Sequence, residues 1–113
     1  MSVSPYRTRS KAAVNVVAPN ADPVVMGKPD LGYRPADMNA YYQIHVTGLD
    51  SGTYDVELYL PGDQTTPKPH QTGATETDTV LIDGPMVEAF RVTFALLGVA
   101  AAPVVYLTAQ GRV

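Results

Sequence analysis

The sequence contains no cysteine, which excludes a disulfide framework, thiolate zinc sites and cysteine nucleophiles together. Tryptophan is also missing and phenylalanine occurs only twice, so an aromatic-lined cleft of the glycoside hydrolase kind has little to be built from. Charged residues are sparse at 17%, and the net charge of −3 is too small to imply a polyanionic or polycationic partner. Long apolar runs are lacking as well. The most apolar stretch, "FALLGVAAAPVVYL" at 94–107, is interrupted by Gly98 and Pro103 and falls short of a spanning helix. No charged start leads into an apolar h-region, so neither a classical export signal nor membrane insertion is expected.

What is present points to strands. A hydrophobic content of 45% in 113 residues suffices for one domain with a modest core. Ten prolines and nine glycines, with Val and Thr abundant, favour short strands joined by turns over long helices. The expected class is all-β: a small antiparallel β-sandwich or jelly-roll-like barrel with an extended N-terminal arm.

The arm is expected over residues 1–39 and the sandwich over 40–113. The leader holds one strand-like run, "AAVNVVA" at 12–18, followed by Pro19, Pro23, Pro29 and Pro35 at intervals that no helix tolerates. Its apolar residues Val24, Val25, Met26, Leu31 and Tyr33 suit a segment lying along a surface, its own domain's or a neighbour's. Residues 1–28 carry a charge of +3, from Arg7, Arg9, Lys11 and Lys28 against Asp22, and the remaining 85 residues carry −6. Three closely spaced cations make a poor nucleic-acid site, so Arg7, Arg9 and Lys11 are read as contacts to a protein neighbour. On this reading, removal of residues 1–28 leaves a folded β domain that no longer joins its assembly.

From Ala40 the alternation becomes regular. "YYQIHVTG" places Tyr42, Ile44 and Val46 on one face, and "GTYDVELYLPG" does the same for Tyr54, Val56, Leu58 and Leu60. The turn "LDSG" between them reads as the corner of a hairpin. Residues 61–79 are polar, rich in Pro, Gly and Thr, and read as a long exposed loop. "TVLIDG", "MVEAFRVTFALLG" and "PVVYLTAQG" supply three further strands, giving six with the leader. The Tyr54 face is expected to pack on Phe90, Val92 and Phe94 across a core.

No constellation for catalysis emerges, and the chain is expected not to be an enzyme. His45 alternates outward within a strand and His70 lies in the Pro-rich segment, with no metal-ligand spacing between them. Asp50, Asp55 and Glu57 surround a Gly turn as oxygen ligands for calcium would, but they miss the twelve-residue loop pattern and equally suit ordinary turn formation. Glu76, Asp78, Asp83 and Glu88 fall at loop and strand ends, where charge serves solubility and edge protection. No cofactor or metal is expected. Seven tyrosines are the main recognition feature, and Tyr41 and Tyr59 face away from the expected core. A flat protein–protein interface suits them best, and a sugar platform comes second.

The run "GTYDVELYLPGD", the Thr-rich segment after it, "VEAFRVTFALLG" and "PVVYLTAQGRV" resemble small bacteriophage virion proteins over residues 40–113. Such proteins decorate or cement capsids or form β-sandwich modules of tails and fibres. The resemblance implies a structural role, a virion location after assembly in the host cytoplasm, and protein subunits of a capsid or tail as partners, in a homo-oligomer or lattice. A soluble carbohydrate- or ligand-binding β module is the alternative.

Overall fold

The computed structural model describes residues 10–17 and 22–111. Eight strands follow in chain order: β1 (Ser10–Val17), β2 (Val24–Met26), β3 (Ala40–Thr47), β4 (Thr53–Leu60), β5 (Asp63–Ala74), β6 (Val80–Asp83), β7 (Ala89–Ala95) and β8 (Val104–Gly111). Among the described residues, helix is confined to one turn, α1 (Lys28–Leu31), and two 3₁₀ turns at Pro35–Asp37 and Gly84–Met86.

All strand pairs are antiparallel and nested: β1 with β8, β2 with β7, β3 with β6 and β4 with β5. This long ribbon folds over so that β8 also meets β3 and β7 also meets β4. The result is two four-stranded sheets, ordered β1-β8-β3-β6 and β2-β7-β4-β5. That winding is a jelly roll, one form of the β-sandwich.

Period-two alternation decides which side chains meet between the sheets. Tyr42, Ile44, Val46, Val80, Ile82, Val105 and Leu107 come inward from the first sheet, and Val24, Met26, Tyr54, Val56, Phe90 and Val92 from the second. Tyr42 and Phe90 meet across the core with ring centroids 5.0 Å apart and tilted by 53°, an arrangement that aromatic quadrupoles favour.

Several sequence-based expectations change here. The Tyr54 face does not oppose Phe90, Val92 and Phe94 across the core: Tyr54 pairs with Phe94, Val56 with Val92 and Leu58 with Phe90 as neighbours in one sheet. The β3–β4 connection is a crossover between sheets and no hairpin. Its corner uses left-handed backbone at Gly48, Asp50 and Ser51, which turns the chain out of one layer and into the other. Residues 61–79 are mostly strand: β5 follows β4 through Pro61 and Gly62, with Leu60 paired to Asp63. Pro67 and Pro69 cannot donate to a ladder and are tolerated because β5 is an edge strand with an irregular register. The leader supplies two edge strands, β1 and β2, so the strands among the described residues number eight where the sequence suggested six.

The sheet edges at β5 and β6 are tied together by a side chain. His70 Nε2 lies 2.8 Å from the Leu81 carbonyl; because a carbonyl only accepts, the bond places the proton on Nε2.

Candidate binding surfaces

The larger concavity is a groove of about 920 Å³ on the outside of the β2-β7-β4-β5 sheet. Alternation builds its floor. Val25 points outward between the buried Val24 and Met26 and is 50% exposed, and the outward-facing Tyr59 and Ala89 are paired in register. The first residues of α1 and the Pro61–Gly62 turn bring Lys28, Pro29 and Gly62 to the walls. Gln64, at the start of β5, completes one side.

A charged pair anchors the far wall. Arg34 Nε donates to both Glu88 carboxylate oxygens at 3.0 and 3.1 Å, and its Nη2 lies 2.9 Å from Oε1. Glu88 is buried, and its backbone N–H donates to the Tyr59 carbonyl at 2.7 Å. The bond to Glu88 first, and the charge of Asp37 second, hold the Arg34 guanidinium protonated beyond its ordinary range. Asp30 is also engaged, accepting from Gly27 N–H at 3.0 Å. Among the described residues, Lys28 is therefore the cation lining the groove that has no ion pair.

A smaller notch of about 200 Å³ lies on the opposite outer face, lined by Tyr41, Gln43, Leu81 and Thr108. Tyr41 is 51% and Leu81 63% exposed. On the same face, His45 stacks on Tyr106 with centroids 4.9 Å apart and rings 20° from parallel. The remaining conspicuous tyrosines are internal. The Tyr42 hydroxyl donates to that of Tyr33 at 3.3 Å, and burial first, then this bond, raises the Tyr42 pKa strongly. The Tyr54 hydroxyl donates to the Asp78 carbonyl at 2.9 Å, and burial, with the Asp78 charge second, pushes its pKa up to about 12.

The partner-contact residues suggested by the sequence separate into groups. Val25 and Tyr59 come together in the groove, while Tyr41 lies on the other sheet. Val24 and Met26 are occupied in the chain's own core, and Leu31 and Tyr33 pack against it half-buried. Arg7 and Arg9 lie outside the described residues; Lys11 belongs to β1, opposite Ala109. Two of the turn carboxylates weighed as calcium ligands accept backbone hydrogen bonds: Asp50 Oδ2 from Ala100 N–H at 2.9 Å, and Asp55 Oδ1 from Gly73 N–H at 2.8 Å. Among the described residues, no group of three or more His, Cys, Asp or Glu is placed to hold a metal ion, and no helix is long and apolar enough to cross a membrane.

Lys28, Arg34, Glu88 and Gln64 were not among the sequence-derived contacts. One of them had a signal: Glu88 is in phase with Phe90 and Val92, so period two places a carboxylate on the inward face, where it needs a cation.

No protein-family model and no curated protein matches the chain. Solved structures similar in fold include the IMPa metallopeptidase in complex with T-antigen and IMPa from Pseudomonas aeruginosa in complex with an O-glycopeptide. Each is 10% identical with a TM-score of 0.50, over 95% of this chain. This chain spans 13% of the length of those proteins, and at that identity the similarity is one of fold alone.

Proposed function

We propose that the chain is a structural, non-enzymatic component of a virion, a capsid decoration or cement protein of bacteriophage type that binds neighbouring subunits through its sheet surfaces and N-terminal segment. The observation that carries this reading is the placement of two recognition surfaces on opposite outer faces of one thin sandwich: the Val25–Tyr59 groove on one sheet and the Tyr41–Leu81 notch on the other. A block with two outward surfaces can hold two neighbours at once, as lattice reinforcement requires, and exposed Tyr contributes large contact area at small entropic cost. The test is mass spectrometry of gradient-purified particles, with the expected result that this chain is present in fixed ratio to the major shell protein. Its loss from particles through the gradient would refute the assignment.

A ligand-binding β module is the second reading. The groove volume falls within the range of small-molecule sites, and the solved proteins of similar fold are in complex with T-antigen or an O-glycopeptide. Saturable binding of a defined glycan by the purified chain, abolished by Tyr59→Ser, would favour it.

A further inference from the structure

The end of the sandwich remote from the groove carries an apolar knob. Between β7 and β8, Leu96 is 83% exposed and Val99 fully exposed. Leu96 also has a φ of 57°, a left-handed conformation uncommon for leucine. Hydrogen bonds fasten the connection that follows it. Asp50 Oδ2 accepts from Ala100 N–H at 2.9 Å, Ala102 N–H donates to the Gly48 carbonyl at 2.8 Å, and Glu76 Oε1 accepts from Gly48 N–H at 2.7 Å. Three connections are thereby fastened into one rigid end that presents two large aliphatic side chains to water.

Knob and groove lie at opposite ends of the same strands. Thr53 pairs with Ala95 beside the knob, and Tyr59 pairs with Ala89 in the groove; six strand residues separate the two by roughly 20 Å. The chain cannot fill its own groove with its own knob. The knob end is acidic: segments 47–55, 74–79 and 94–104, which form it, hold Asp50, Asp55, Glu76 and Asp78 and no Lys or Arg. In the groove, Arg34 is paired with Glu88 and Asp30 is bonded to Gly27 N–H, so that Lys28 is the cation left without an ion pair among the described residues and can face that acidic end.

We propose that Leu96 and Val99 of one copy seat in the groove formed by Val25, Pro29, Tyr59 and Ala89 of a second copy, with Lys28 facing the acidic knob end. The contact is heterologous, so each copy offers one knob and one groove and the series is open-ended. Two aliphatic side chains make a small interface, weak in free solution and strengthened where many copies are held side by side. The contact rests on this chain's surfaces alone, so it and the particle assignment fail separately: a chain missing from particles can still self-associate, and a particle-bound chain can be monomeric when free.

Sedimentation velocity on the full chain over a concentration series tests it. Wild type is expected to show a mass average that rises past the dimer without a plateau. Leu96→Asn/Val99→Ser disarms the knob while Asn accepts the left-handed backbone, and Lys28→Glu/Tyr59→Ser disarms the groove. Each is expected to weaken association at least about ten-fold, as loss of anchoring apolar and aromatic contacts does. An equimolar mixture of the two variants retains one working knob and one working groove between them, and is expected to stop at a dimer. Circular dichroism of each variant serves as the control, with the β spectrum of the wild type expected for both. A wild type that stays monomeric throughout, a dimer that survives both variants, or a mixture that forms no dimer overturns the proposal.

Discussion

Replacing Tyr54 by Phe separates one buried hydroxyl from the ring that packs around it. The ring stays in the core, while the hydrogen bonds at 2.9 Å to the Asp78 carbonyl and 3.5 Å to the Ile44 carbonyl are lost. At pH 7 the cost is about 1 kcal/mol, and for 113 residues that lowers Tm by about 4 °C. The pH dependence is more diagnostic. The folded Tyr54 pKa is raised from 10.0 to about 12, so above pH 10 the unfolded chain releases a proton that the folded chain keeps. The contribution of the neutral hydroxyl is therefore complete below pH 10 and is lost as pH rises towards 12, by about 1.4 kcal/mol per pH unit. Tyr54→Phe removes this term and leaves that of Tyr42, whose pKa is raised too. Urea denaturation followed by circular dichroism from pH 7 to 12 is the assay. The variant is expected to start less stable and to lose stability less steeply above pH 10, so that the two curves converge and cross at about pH 11. Parallel curves through that window would show that the Tyr54 hydroxyl is not held in a low-dielectric, hydrogen-bonded site.

Two backbone predictions follow from the same structure. Gly48 has a φ of 77°, and a Cβ there would run into the Ala102 carbonyl, whereas Gly62 has a φ of 88° with open space around it. Gly48→Ala is expected to cost about 3 kcal/mol or more and Gly62→Ala about 1 kcal/mol by chemical denaturation, and equal losses would contradict the packing at that corner. Deletion of residues 1–28 removes β1 and β2 with the buried Val24 and Met26, so the truncated chain is expected to lose its cooperative thermal transition; a sharp transition would place the leader outside the fold.

The class of the fold was legible because alternation is a local property. Tyr42, Ile44 and Val46, or Phe90 and Val92, announce an inward face without reference to any other segment. Pairing is not local. Nothing in "YYQIHVTG" or "GTYDVELYLPG" reveals that the corner at Gly48 sends the second strand into the other sheet, because a turn signal marks a reversal without saying in which layer it ends. β5 was hidden for a different reason: as an edge strand with little to bury, "DQTTPKPHQTGA" carries no apolar period and reads as loop. The groove shared that fate. Val25 reads as one of five apolar anchors in the leader and Tyr59 as a tyrosine facing away from the core, but their meeting depends on β2 and β4 flanking β7, and Arg34 and Glu88 are joined across 54 positions of sequence.

The nested pairing also prescribes an order of assembly. Leu60 and Asp63 are three positions apart, and Ser10 and Gln110 are the widest-spaced partners. Closing that outermost loop directly costs about 3 kcal/mol more in chain entropy than closing the innermost one. If β4 and β5 zip first, each outer pair closes only the short connections added since the last, and most of that difference disappears. Pulsed hydrogen exchange during refolding is therefore expected to protect amides of β4 and β5 before those of β1 and β8, and simultaneous protection would rule the order out. Among the described strands β1 is made before the other seven, yet its partner among them, β8, comes last. Its unpaired edge stays open to other chains until β8 arrives.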